Sequence, residues 1–242
     1  MPPALVEETL DKGEFVVSDV LPIPRYLEQV YWWAYVHPSA VHLFEREWLV
    51  NAILFGNYGR LSNAALAELG TPIKGRTLQV ACVYGNLTSR LRERMAPEAQ
   101  LDVVDILPVQ LHNLSRKLPP DRRIALTHGD ASSLACVDAQ YDQVLLFFLL
   151  HEMPQAVRSA ALGEAMRVLK PGGKLVIVDY HQPARLHPLR PLMRQVFRHL
   201  EPYASDLWEC EVEQFMPVGT APTAAEKQTY FGGLYQKLVM TR

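Results

Sequence analysis

The stretch TLQVACVYGNLTSRL, Thr77 to Leu91, decides how the rest of the chain is read. Thr77–Val83 is a short apolar run of strand type, and Leu87–Met95 has helical spacing after a break at Gly85-Asn86. The same alternation continues downstream. Leu101–Asp105 (LDVVD) and Ile124–Thr127 (IALT) read as strands, with a helix near Val109–Lys117 between them. Gln143–Leu149 (QVLLFFL) is almost wholly apolar, as expected of a strand covered on both faces. Gln155–Leu169 reads as a helix stopped by Pro171-Gly172-Gly173, and Lys174–Tyr180 (KLVIVDY) as a fifth strand. Lys227–Phe231 and Tyr235–Met240 flank Gly232-Gly233 and predict an antiparallel hairpin. Alternation of this kind builds a parallel sheet between two helical layers, with its ligand crevice at the carboxyl ends of the strands.

Upstream of this unit, the first two dozen residues, with Pro2, Pro3, Pro22 and Pro24, read as an irregular arm. Arg25 to about Gly70 is helical in pattern and rich in aromatics. Pro38 is placed to open a helix on which Val41, Phe44, Trp48 and Phe55 recur at helical spacing. A further short helix takes Ser62 as its cap, turns Leu66 and Leu69 inward and stops at Gly70. The expected division is an arm and helical lid over residues 1–72 and an α/β domain over 73–242.

Of the 242 residues, 49% are apolar and 21% charged, enough for a filled core. With 24 basic and 26 acidic residues the net charge is -2, which gives no basic field for nucleic acid. Cys82, Cys136 and Cys210 are odd in number and widely spaced, so free thiols in a reducing cytoplasm are expected. The N-terminus lacks a signal-peptide pattern, and the apolar run Val144–Leu150 is too short to span a bilayer.

From Leu78 onward the chain resembles the class I S-adenosylmethionine (SAM) methyltransferases. LQVACVYGNLTSRL stands where that family has its glycine-rich loop, and Asp105 follows about twenty residues later, where an acid meets the ribose hydroxyls. HGDAS sets Asp130 at the adenine position, and RVLKPGGKLVIVDY (Arg167–Tyr180) is the most characteristic segment. The resemblance implies a Rossmann-like fold with a mostly parallel seven-stranded sheet, an antiparallel C-terminal hairpin and an N-terminal helical lid. It implies SAM contacts at Val83, Tyr84, Gly85, Asn86, Asp105, Ile106, Asp130, Ala131 and Phe147. The loop itself departs from the family pattern: Gln79, Ala81 and Val83 replace the acid and the first two glycines, and only Gly85 remains. A positive φ would strain the β-branched Val83, so the loop is expected to follow another path.

VACVYGN (Val80–Asn86), LLFFLLHEMP (Leu145–Pro154) and YWWAYVHPSAVHLFEREWLVN (Tyr31–Asn51) together resemble the rhodoquinone-biosynthesis proteins of the methyltransferase superfamily. That resemblance covers nearly the whole chain. It implies conversion of ubiquinone to rhodoquinone, a ring methoxy group giving way to an amino group. SAM is the implied nitrogen donor, and a divalent metal, with manganese favoured, the implied helper. Two other readings stay open: conventional methylation of a quinone or small aromatic, and a non-catalytic partner with a methyltransferase fold.

Amination requires a neutral attacking amine, an electrophilic partner for the quinone carbonyl and a proton for the departing methoxide. A carboxylate beside the amine would favour the unreactive ammonium, so its loss at Gln79 suits the chemistry. His151 and Glu152 follow the fourth strand at the crevice edge; Asp179, Tyr180 and His181 leave the fifth at the same edge. His151, Glu152, Tyr180 and His181 are therefore the catalytic candidates. His151, Glu152 and His181, with Asp179 or Asp130 as possible carboxylates, are the metal-ligand candidates. Tyr31, Trp32, Trp33 and Tyr35, followed by His37, suit a quinone ring, a membrane interface or ordinary packing. A peripheral contact with the inner face of the membrane through Phe44, Trp48, Leu49 and Ile53 is a further expectation, without support from any basic amphipathic face.

Overall fold

The structure is a computed structural model that describes residues 21–31 and 46–242. The readings made on Pro2, Pro3, Trp32, Trp33, Tyr35, His37, Pro38, Val41 and Phe44 lie outside these residues.

Seven strands form one sheet in the order β3-β2-β1-β4-β5-β7-β6. These are β1 (Arg76–Val80), β2 (Gln100–Asp105), β3 (Ile124–His128), β4 (Tyr141–Phe147), β5 (Leu169–Tyr180), β6 (Ala224–Tyr230) and β7 (Tyr235–Thr241). β1 to β5 pair in parallel, and β7 runs antiparallel to both β5 and β6. The Rossmann-like methyltransferase fold expected from the sequence is present, including the C-terminal hairpin. β4 is buried at six of its seven positions, as its apolar run requires. β6 is exposed at all but Tyr230, as an edge strand with charged and polar side chains should be.

Helices α4 (Leu87–Arg94), α5 (Pro108–Lys117) and α6 (Gln155–Val168) cross between the strands. Upstream lie α1 (Arg25–Val30), α2 (Glu47–Ile53) and α3 (Tyr58–Leu69). α3 turns Leu61, Ala65, Leu66 and Leu69 into the main core. α1 forms a smaller cluster in which Leu27 and Tyr31 meet Leu107, so it sits beside the turn after β2. No helix among the described residues is long and apolar enough to cross a membrane.

Two local expectations are corrected. Ser62 is not a cap: it lies inside α3 and its hydroxyl donates back to the Tyr58 carbonyl at 2.7 Å. The helical spacing through Phe55 stops at Ile53, because Phe55 and Gly56 have φ of 50° and 79° and turn the chain into α3. Between β5 and the hairpin, where the sequence reading assigned no element, lies a further helix, α7 (Arg190–His199).

Candidate active site

A cavity of about 530 Å³ opens over the carboxyl ends of β1, β2, β3 and β4, within the ~300–1,000 Å³ usual for small-molecule sites. Its cofactor side begins with the altered loop. The positive φ falls on Ala81 (72°), the smallest side chain available, and on Gly85 (88°), while Val83 escapes it. That is how the loop turns without its missing glycines. A Cβ on Gly85 would stand 2.7 Å from the Tyr58 hydroxyl, which in turn accepts the Asn86 N–H at 2.8 Å. Gln79, fully buried under the loop, donates from Nε2 to the Ala81 carbonyl and accepts from Thr88 Oγ1, both at 3.0 Å. The amide therefore braces the loop and is neutral.

Asp105 accepts the Cys82 N–H at 2.6 Å and the Leu107 N–H at 2.8 Å, one on each oxygen. Burial pushes its carboxyl up to about 6, against the pull of these two donors. A carboxylate has about four acceptor directions, so each oxygen can still take a ribose hydroxyl. Asp130 holds Ser132 through Oδ1 and lines the same wall, with Ile106, Ala131 and Phe147. The donor set fits a nucleoside. Val83 and Tyr84 also line the cavity, Tyr84 accepting from Gln110 Nε2 at 2.8 Å. Gly85 and Asn86 lie off its wall, where Asn86 ties α2 to α4 through Glu47.

The opposite side is built around His151, on the single helical turn Leu150–Glu152. Asp179, fully buried at the end of β5, accepts the backbone N–H groups of Leu150, His151 and Tyr180. It also takes His151 Nδ1 at 2.9 Å. An ionised carboxylate only accepts, so Nδ1 carries a proton and Nε2 is the nitrogen left for a ligand. Glu152 Oε1 stands 3.8 Å from Nε2. Burial works to lower the imidazole's pKa, but Asp179, Glu201 and Glu152 overcome it and push the group up to about 9. At neutral pH His151 is thus an imidazolium, a proton donor.

Tyr180 packs edge-on against the His151 ring at 4.9 Å between centroids. Phe148, whose φ of 52° is a strained value, adjoins both rings. Glu201 lines the same pocket, its Oε2 buried and without a hydrogen-bond partner among the described residues, and burial raises its carboxyl pKa against a hydrogen bond from Tyr180. Sequence reasoning missed Glu201, which leaves no motif and reaches the site from beyond α7. It also missed Arg158, a fully buried arginine that clamps the Leu150–Glu152 turn. Its guanidinium donates to the carbonyls of Leu150, Met153 and Tyr203 at 2.8–2.9 Å and pairs with Asp206 at 3.1 Å.

The structure brings His151, Glu152 and Tyr180 to one cavity but leaves His181 off its wall. His181 follows the last residue of β5, and its Nδ1 donates to the Gly233 carbonyl at 2.8 Å. The metal set His151, Glu152 and His181 is therefore not assembled. Asp179 is occupied by four N–H donors, and among the described residues no three His, Cys, Asp or Glu side chains are grouped to hold an ion. The described residues do not fit a divalent metal.

Residues 77–173 match the methyltransferase domain family, and the sheet and crevice are those of the class I SAM-dependent methyltransferase fold. The chain is 27% identical over 167 residues to demethylmenaquinone methyltransferase of Staphylococcus aureus, covering 69% of this chain and 68% of that protein. Among solved structures it resembles human N-acetylserotonin methyltransferase in complex with SAM, with a TM-score of 0.62 and 14% identity, covering 90% of this chain and 62% of that one. Phosphoethanolamine N-methyltransferase 2 of Haemonchus contortus, also with SAM, gives 0.64 and 14%, covering 90% and 59%. At such identities these two likenesses speak to fold alone.

Proposed function

We propose that this chain is a SAM-using quinone transferase that replaces a ring methoxy group of ubiquinone by an amino group, yielding rhodoquinone. The observation that carries the reading is Gln79: a neutral amide, both ends committed, stands where the family pattern has an acid. Without a carboxylate there, nothing at that position favours an ammonium over the neutral amine. SAM supplies the nitrogen. In the first step a C–N bond forms at the ring carbon, the C–OCH₃ bond breaks, and the amine proton leaves with methoxide as methanol. In the second the quinone ring of the adduct takes up two electrons and the Cα hydrogen, becoming a hydroquinone as N–Cα becomes an imine, and water cleaves that imine to the 2-oxo acid and the amino-hydroquinone, the reduced form of rhodoquinone.

His151 fits both demands of that step. Its Nε2 proton can be donated to the quinone carbonyl as charge builds, or passed to the departing methoxide. Asp179 fixes the ring and sustains its charge. Tyr180, Phe148 and Phe147 supply aromatic faces for a flat ring. The resemblance also implies manganese, and no step is routed through it.

The second reading is methyl transfer to a quinone ring, favoured by the S. aureus relative's name. It would use His151 as a base, so the imidazolium would first have to lose its proton. Restoring an acid by Gln79→Glu tests the first reading: turnover should fall at least tenfold while SAM affinity changes by less than about threefold. Equal or better amination by the variant would count against it.

A further inference from the structure

We infer that α7 and the cavity rim beside it form a docking surface for an anionic phospholipid bilayer. Between Asp179 and Glu201 the chain has four arginines, three histidines and no acidic residue, against a net charge of -2 for the whole protein. α7 turns Met193 and Phe197 into the core and leaves Arg194, Gln195, Arg198 and His199 exposed. Neither Arg194 nor Arg198 has an ion-pair partner among the described residues. They line a shallow hollow with Arg190 in which, among the described residues, Glu209 is the one carboxylate. The basic amphipathic face that sequence reading did not find is here.

Large apolar side chains flank these cations. Leu186 is 95% exposed and Leu192 50%. Leu200 and Ile53 are 45% and 43% exposed while also lining the cavity, so they form part of its mouth. Guanidinium groups beside solvent-facing leucines are the pattern of an interfacial helix, which gains from anionic headgroups and from shallow insertion of its apolar residues. Met193, Val196 and Leu200 of this region line the cavity from within, so docking would turn the cavity mouth toward the bilayer. The purpose of the surface rests on the quinone reading, because a long-tailed quinone resides in the membrane. Its geometry does not.

The test is flotation of the full-length protein with vesicles of phosphatidylcholine alone and of an equal phosphatidylcholine–phosphatidylglycerol mixture, without quinone. The mixed vesicles should bind the protein, and rising salt should weaken binding. R194E/R198E should lower partitioning by at least roughly thirtyfold, and L186E/L192E should abolish the binding that survives high salt. Both variants should keep the wild-type melting temperature and wild-type turnover of a short-tailed, water-soluble quinone. Equal binding to both vesicles, no binding, or binding indifferent to R194E/R198E would overturn the inference. So would tighter binding to a nucleic-acid duplex, or self-association, lost in the same variant. If the wild type binds mixed vesicles but turns over no soluble quinone, the quinone reading fails and the docking surface stands.

Discussion

At the scale of single residues the site is governed by one buried hydrogen bond, from His151 Nδ1 to Asp179. It sets the tautomer, and with Glu201 and Glu152 it keeps the ring charged up to about pH 9. If His151 acts as an acid, turnover should be flat near neutrality and fall as pH rises through about 9; a base would show the opposite slope. The stability consequence has a definite sign. The folded pKa lies above the unfolded value of 6.5, so the contribution of His151 to stability is full below pH 6.5 and lost as pH rises through about 9. Urea titrations of wild type and His151→Asn should differ most at low pH and converge above 9. Asp179→Asn should cut turnover on the order of a hundredfold and shift the falling limb of the pH profile to lower pH. An unshifted limb would mean that Asp179 only braces the turn. His151 was legible because it lies in the turn after a strand whose carboxyl end must face the crevice. Glu201 was not, since its place depends on how α7 and the following turn fold back over the sheet. His181 could not be placed from sequence because the residue just past a strand can turn either way, and here the hairpin carbonyl of Gly233 claims it.

At the scale of elements, the strands were legible from apolar runs punctuated by glycine and proline. β5 extends the expectation backward, since Leu169 already pairs with Tyr141. α7 was obscure in sequence because Pro188 and Pro191 precede a pattern that alternates arginine with apolar residues. The loop after β1 was half legible: the departure from glycine could be read, but not that Ala81 would take the positive φ. Gly85→Ala should lower stability by about 1–3 kcal/mol, through its φ of 88° and the Tyr58 hydroxyl 2.7 Å from the new Cβ, and should weaken SAM binding. Isothermal titration beside thermal melts checks both effects. Arg158→Met removes the clamp joining the Leu150–Glu152 turn to the segment after α7. It should cost roughly 3 kcal/mol in urea unfolding, with turnover falling further than the unfolded fraction explains.

At the scale of the whole molecule, a methyltransferase-type sheet carries a crevice with one wall at Asp105 and Asp130 and a charged, aromatic wall at His151, Tyr180 and Glu201. Fold and crevice followed from the sequence because strand order fixes which loops meet. The chemistry did not, because methylation and amination use the same co-substrate in the same place and differ in which of its atoms is transferred. The most direct measurement is therefore to supply SAM labelled with nitrogen-15 at its amine and deuterium in its methyl group, together with ubiquinone, and to weigh the quinone product. The expected product has lost one methoxy group and gained one nitrogen-15, with no deuterium. A product carrying the deuterated methyl group, or unchanged ubiquinone where SAM binding is confirmed, would contradict it.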